Sequence, residues 1–208
     1  MNILLIGASG MIGSRILKEA VSRGHQVIAS ARNLEKISVS KGVEAIALDV
    51  NNVDAVAAQA MRVDMIVSAI SPRNSGDPYK DAKAFAESLV EVQRGTGKRV
   101  VMVGGAGTLH LPDGTPIAPT LPDAYRDEAK AMRKVYGLLV SEDIDFTFLA
   151  PAGMIMPGER TGNFRIGGNV LLIDNEGNSQ ISAEDYAVAL MDEVETPKHF
   201  RTVFTVGY

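Results

Sequence analysis

The sequence predicts an α/β protein: a doubly wound parallel sheet with helices on both faces. Three observations carry this. Short apolar runs alternate with amphipathic helical segments through most of the chain, which is how βαβ units look when a sheet is buried on both sides. Three glycines, Gly7, Gly10 and Gly13, stand where the first run hands over to the first helix. The 208 residues, 46% hydrophobic and 22% charged, suffice for one domain with a substantial core.

The elements follow in order. Residues 2–7 are a first strand, and residues 11–23 a helix with Ile12, Ile16 and Ala20 on one stripe. Residues 26–30 and 43–48 are the second and third strands. Val53, Val56, Ala57, Ala60 and Met61 fall at i, i+3, i+4, i+7 and i+8, one face of a helix. A fourth strand (64–70) precedes a helix marked by Ala82, Phe85, Ala86 and Leu89. A fifth strand (99–104), a helix marked by Met132, Val135, Tyr136, Leu139 and Val140, and a sixth strand (145–150) come next. The last third reads as a strand at 167–174, a helix at 182–195 and a strand at 202–207. Ser182 is the expected N-cap of that helix, with Asp185 three residues on.

With right-handed crossovers, the expected strand order is 3-2-1-4-5-6, a Rossmann-like arrangement. Residues 1–150 form the dinucleotide-binding core, and 151–208 complete the sheet and supply the substrate side. Two long segments, 105–121 and 151–168, read as binding loops at the strand ends where open α/β sheets hold ligands.

The glycines have separate tasks. Gly7 permits a sharp turn out of the strand, Gly10 lets backbone approach a pyrophosphate, and Gly13 lets the helix pack closely on the sheet. The helix N-terminus then attracts phosphate. The end of the second strand reads Ala31-Arg32-Asn33, with no acid to bind a ribose 2′-hydroxyl. Arg32, with Ser9, suits a 2′-phosphate, so NADP(H) is expected over NAD(H), which remains admissible; a solvated surface arginine is the alternative. Asp49 either accepts from the adenine amino group or caps the following helix.

Net charge is −4 and cysteine is absent. This argues against nucleic-acid and membrane partners and excludes disulfides and thiolate metal sites. The residues around Met1 resemble no secretory leader. A cytoplasmic protein, monomeric or homodimeric, without a metal site, is expected.

The G-x-x-G-x-x-G turn, "AR" after strand two, "LDV" after strand three and "SAI" after strand four resemble the atypical short-chain dehydrogenase/reductases. The stretches "VVMVGGAGTL", "DFTFLAPAGMIMPGERTGNFRIGG" and "ISAEDYAVALMDEVETP" resemble their NADH-flavin reductase branch, similar in fold to biliverdin-IXβ/flavin reductase. The resemblance implies NAD(P)(H) binding, with Gly7, Ser9, Gly10, Met11, Ile12, Arg32, Asp49, Val50, Ser68, Ala69 and Ile70 lining the cofactor and Pro151 near the nicotinamide. Gly13 and Gly104 are counted with them.

Catalytic short-chain dehydrogenases place a Tyr-x-x-x-Lys pair on the helix after strand five and a Ser or Thr at that strand's end. Here the pair Tyr79 and Lys83 precedes strand five, and the strand ends Gly104-Gly105-Ala106. After strand five, Tyr125 is followed by Lys130, about 140° around the helix from it. His110 and Arg73 are the catalytic candidates, and Arg73, Glu159, Arg160 and Arg165 are candidates for the nicotinamide mouth, with ordinary surface charges as the alternative for all four. Met154 and Met156 are either an apolar floor for a flat ring or core. Without a proton relay, direct hydride transfer to a flavin- or quinone-like flat aromatic acceptor is the expected activity, the flavin being FMN, FAD or riboflavin. A non-catalytic NADP(H)-binding redox sensor, like the related NmrA-like proteins, is the alternative. An epimerase or dehydratase ranks third.

Overall fold

The computed structural model describes residues 1–73 and 75–208. Eight strands form one sheet in the order β3-β2-β1-β4-β5-β6-β10-β8. They are β1 Asn2–Ile6, β2 Gln26–Ala31, β3 Val43–Ala47, β4 Met65–Ser68, β5 Val100–Val103, β6 Phe146–Ala150, β8 Arg165–Gly167 and β10 Thr202–Gly207. All neighbours are parallel except β8, which runs antiparallel to β10. A separate parallel pair joins β7 Met154–Met156 to β9 Gln180–Ser182.

Helices α2 Val53–Ala60, α3 Pro78–Thr96 and α4 Asp123–Ser141 cover one face; α1 Met11–Ser22 and α5 Ala183–Glu195 cover the other. Alternation along the strands sorts the core. Leu4, Ile6, Ile66, Met102 and Phe148 pack toward α2, α3 and α4, while Ile3, Leu5, Val67, Val101 and Leu149 pack toward α1 and α5. That is why the central strands read as unbroken apolar runs.

Three expectations need correction. Residues 167–174 are not a strand: β8 lies earlier, and Val170 makes only an isolated bridge to His110. The apolar run packs as a loop, with Leu172 against the bare backbone of Gly167 and Gly207. The 151–168 segment is not structureless, since it carries β7 and β8. The 105–121 segment contains 3-10 turns at Ala106–Thr108 and Ala118–Thr120.

Strand order reverses beside β1, whose neighbours β2 and β4 lead to crossovers on different faces. A crevice opens there at the strand C-termini.

Candidate functional site

The crevice is built on the glycine turn. Gly7 has φ +87°, and a Cβ there would lie 2.7 Å from the Ala69 carbonyl oxygen. The N–H groups of Gly7 and Ala8 both donate to the Ser30 carbonyl, each at 3.0 Å, tying the turn to β2. A Cβ on Gly13 would stand 2.1 Å from the Gly7 oxygen, so only glycine lets α1 start pressed against the turn. Gly10 differs: its Cβ would meet a single atom, the Gly7 oxygen at 3.4 Å. The space Gly10 leaves open is thus on the cleft side.

This geometry fits a bound pyrophosphate. Gly10 is the N-cap of α1, gives no side-chain cap, and no acidic residue follows in the first turn. The helix starts with free N–H groups and a positive end that an anion can satisfy. On the sheet face opposite α1, Ser30 and Ser68 flank Ile6 in register on β2 and β4. Both side chains are fully buried, and neither hydroxyl has a hydrogen-bond partner among the described residues. Buried hydroxyls without partners are costly and mark a place where a ligand or water belongs.

The cleft is lined from β1 by Ile6, Gly7, Ser9 and Gly10, and from β2 by Ser30, Ala31 and Arg32. The β3 end adds Leu48, Asp49, Val50 and Asn51; the β4 end adds Ala69, Ile70, Ser71 and Arg73; α3 adds Asp81 and Phe85. Among the sequence candidates, Gly7, Ser9, Gly10, Arg32, Asp49, Val50, Ala69, Ile70 and Arg73 come together here. The others lie outside the lining. Met11 is exposed at the start of α1, Ile12 packs toward the α1–α5 core, and Gly13 serves helix packing. Ser68 is closed over within β4, and Gly104 and Pro151 belong to the β5 and β6 ends. Asp49 does not cap α2, whose N-cap is Asn52; its side chain accepts the Asn51 N–H at 3.0 Å. Ser30 was missed although register with Ile6 would have found it. Phe85 and Asp81 were missed because the apolar stripe of α3 reads as core.

At the β5 end two glycines are hemmed in. A Cβ on Gly104 would fall 2.3 Å from the Phe148 ring, and one on Gly107 would fall 2.6 Å from the Ala129 Cβ. Tyr79 sits on α3 under the Lys134 ammonium, 4.4 Å from its ring centre, while Lys83 is exposed and pairs with Glu87. Tyr125 is exposed on α4. Tyr186, wholly buried on α5, donates to the Leu149 carbonyl at 2.6 Å, and burial pushes its pKa up. None of these tyrosines pairs with a lysine as a relay would require.

The remaining candidates have structural partners. His110 is half-buried: its backbone pairs with Asn169 and Leu171, and Arg133 approaches Nε2 at 3.2 Å. Arginine only donates, so in this contact Nε2 is the acceptor. Arg160 turns away to bind Glu19 of α1 at 2.8 Å, and Arg165 donates to the Ile173 and Tyr208 carbonyls. Met154 and Met156 are exposed, so they are not core. His25 and His199 bind Glu195 and Glu193.

Carboxylates hold the 158–162 segment. Glu184 accepts from Gly158 N–H (2.8 Å) and Arg15 (3.0 Å). Burial opposes ionisation of Glu184, but these donors outweigh it and keep its pKa below the ordinary carboxyl range. The Arg160 hydrogen bond, against burial and together with Arg23, lowers the pKa of Glu19. Asp185, fully buried, accepts from Thr161 and Gly162 N–H groups (both 2.8 Å), the Thr161 hydroxyl and the Tyr208 hydroxyl.

Comparison with known proteins agrees with this geometry. The model of a family described as NAD(P)H-binding matches residues 7–197. A solved structure from Burkholderia pseudomallei, provisionally described as an exported protein, is 44% identical over the whole of both chains, with a TM-score of 0.89. One from Bacteroides thetaiotaomicron, provisionally described as an epimerase, is 37% identical over all of this chain and 96% of its own, with a TM-score of 0.92. One from Streptococcus pneumoniae, provisionally described as an NADH-flavin reductase, is 30% identical over all of this chain and 99% of its own, with a TM-score of 0.87. These names disagree about the reaction, while the fold and the family model agree about the nucleotide. The chain belongs to the NAD(P)H-binding family, among the atypical short-chain dehydrogenase/reductases with a Rossmann fold.

Proposed function

We propose that this NAD(P)H-binding protein is a reductase, preferring NADPH, that passes hydride directly to a flat flavin- or quinone-like acceptor. The observation that supports it is the pairing of an open dinucleotide cleft with a β5 end of Gly104 and Gly105, where a Cβ on Gly104 would meet the Phe148 ring at 2.3 Å. A bound reduced nicotinamide supplies the hydride, and solvent supplies the proton that completes the reduction. The chain binds and orients. The α1 N-terminus with Ser9 and Gly10 holds the pyrophosphate; Arg32 and Ser9 hold the 2′-phosphate; Asp49 meets the adenine. A carbonyl acceptor would need an acid for its alkoxide, whereas a delocalised acceptor takes its proton from water. The name of the Streptococcus relative supports the same acceptor class. An epimerase would need the relay groups that are missing.

No helix among the described residues is long and apolar enough to cross a membrane; we read the protein as acting in the cytoplasm. Steady-state oxidation of NADPH with FMN, riboflavin or a quinone is the test. Turnover no faster than the uncatalysed rate with every acceptor would refute the reductase and favour the redox-sensor alternative. For the cofactor, Arg32→Asp should weaken NADPH binding about thirtyfold, as loss of charge-assisted phosphate bonds implies, and NADH binding little. Equal losses would show that Arg32 does not read the 2′-phosphate.

A further inference from the structure

We infer that Arg73 selects acceptors that carry an anionic group, such as a phosphate, and that Glu128 is a built-in competitor for that group. The inference rests on the reductase reading for the word acceptor, but its geometry is independent of turnover.

The cleft has two ends. Arg32 and Asp49 belong to the β2 and β3 side of β1, and Arg73 to the β4 side. The glycine turn lies between them. Arg73 thus lines the β4 side of the cleft, and its bond to Glu128 turns it toward α4, the crossover that follows β5. Its Nε–H donates to Glu128 Oε2 at 2.8 Å. Glu128 is on α4, which follows β5, so the pair spans from the β4 end to the next crossover. The Arg73 side chain is 68% exposed and that of Glu128 27%. Glu128 engages only one edge of the guanidinium, and an exposed pair of this kind holds weakly. A phosphate can take two parallel N–H bonds from the fork, which a carboxylate on Nε alone does not match. The other acid of this end, Asp81, already accepts the Ser75 N–H at 2.7 Å. An anion arriving here thus meets an exposed guanidinium whose resident partner is easily exchanged.

The test uses the full chain loaded with NADP⁺ and two flavins differing by one phosphate, FMN and riboflavin. Binding is read by flavin fluorescence, separately from turnover. FMN should bind about fivefold more tightly than riboflavin at low salt, the scale of an exposed charge pair, and high salt should erode the difference. Arg73→Ala should bring the ratio to near one, Arg73→Lys should keep part of it, and Glu128→Gln should raise it. Equal binding of both flavins by the unmodified protein, or a ratio that survives Arg73→Ala, overturns the inference. So does an Arg73→Ala variant that loses NADP⁺ affinity while keeping the flavin ratio, because Arg73 would then serve the cofactor. A ratio that follows Arg73 in a protein without turnover supports the anion site and refutes the reductase. Turnover with a ratio indifferent to Arg73 does the reverse.

Discussion

Helices α1 and α5 lie side by side on one face of the sheet, joined by Arg15 to Glu184 and by Arg23 to Asp192 and Glu195. Both begin at the edge where the parallel strands end. Their first turns are opposites. α1 starts at Gly10, with no side-chain cap and no acid. α5 starts at Ser182, whose hydroxyl accepts the Asp185 N–H at 2.9 Å, and Glu184 and Asp185 follow in its first turn. The positive end of α5 is thus neutralised by the chain's own carboxylates, which also grip residues 158–162. The positive end of α1 is left for a guest. One physical device, the helix N-terminus, serves structure in one helix and binding in the other. The identities of four or five residues decide which.

Glycine substitutions in α1 give the largest expected effects and would break the comparison most directly. Gly13→Ala forces a Cβ onto backbone at 2.1 Å and should cost roughly 3 kcal/mol or more, as overpacking against an immovable neighbour does. Gly10→Ala meets only one atom, at 3.4 Å. It should leave the denaturation midpoint near that of the parent and weaken NADP(H) binding tenfold or more. Urea titration and dinucleotide titration of both variants check this. If Gly10→Ala keeps full affinity, the open end of α1 is not where the pyrophosphate sits.

The matching change in α5 is Asp185→Asn. Four donors from the 161–162 turn and Tyr208 converge on this buried carboxylate. An amide would keep fewer acceptors and turn N–H groups toward donors, at a cost of about 2 kcal/mol. Cleavage by a protease should concentrate in residues 158–163, with NADP(H) affinity little changed. Loss of dinucleotide binding in step with stability would show that the two helix ends are not independent.

These two helices also show what was legible in the sequence. The α1 turn was readable because glycine spacing, strand and helix are contiguous, so local geometry fixes their meaning. The Ser182 cap was readable for the same reason. Arg160 was misassigned to the nicotinamide mouth because its partner, Glu19, lies 141 residues away, and no local rule links them. The apolar run ending in Ile173 reads as a strand because periodicity cannot tell a strand from a loop that fills gaps over Gly167 and Gly207. That β5 ends in glycines was legible, but that a Cβ on Gly104 would meet the Phe148 ring at 2.3 Å was not.

The smallest expected effect concerns the body of α1 rather than its tip. Glu19 accepts from Arg160 at 2.8 Å by two bonds and from Arg23 at 2.8 Å, so α1 holds the 158–162 segment from the other side. These partners keep its pKa below the ordinary value of 4.5. A lowered pKa in the folded state stabilises the protein fully above the unfolded value; the gain is lost as pH falls from about 4.5 through the lower folded value. Glu19→Gln should therefore be less stable than the parent at neutral pH by about 1 kcal/mol, because Arg160 is largely exposed and its bonds are screened. The gap should close progressively below pH 4.5. Denaturation of both proteins from pH 7 to pH 3 measures it. A gap that stays constant across that range would mean that Glu19 acts through packing alone, and that its charge does not tie α1 to the segment α5 holds.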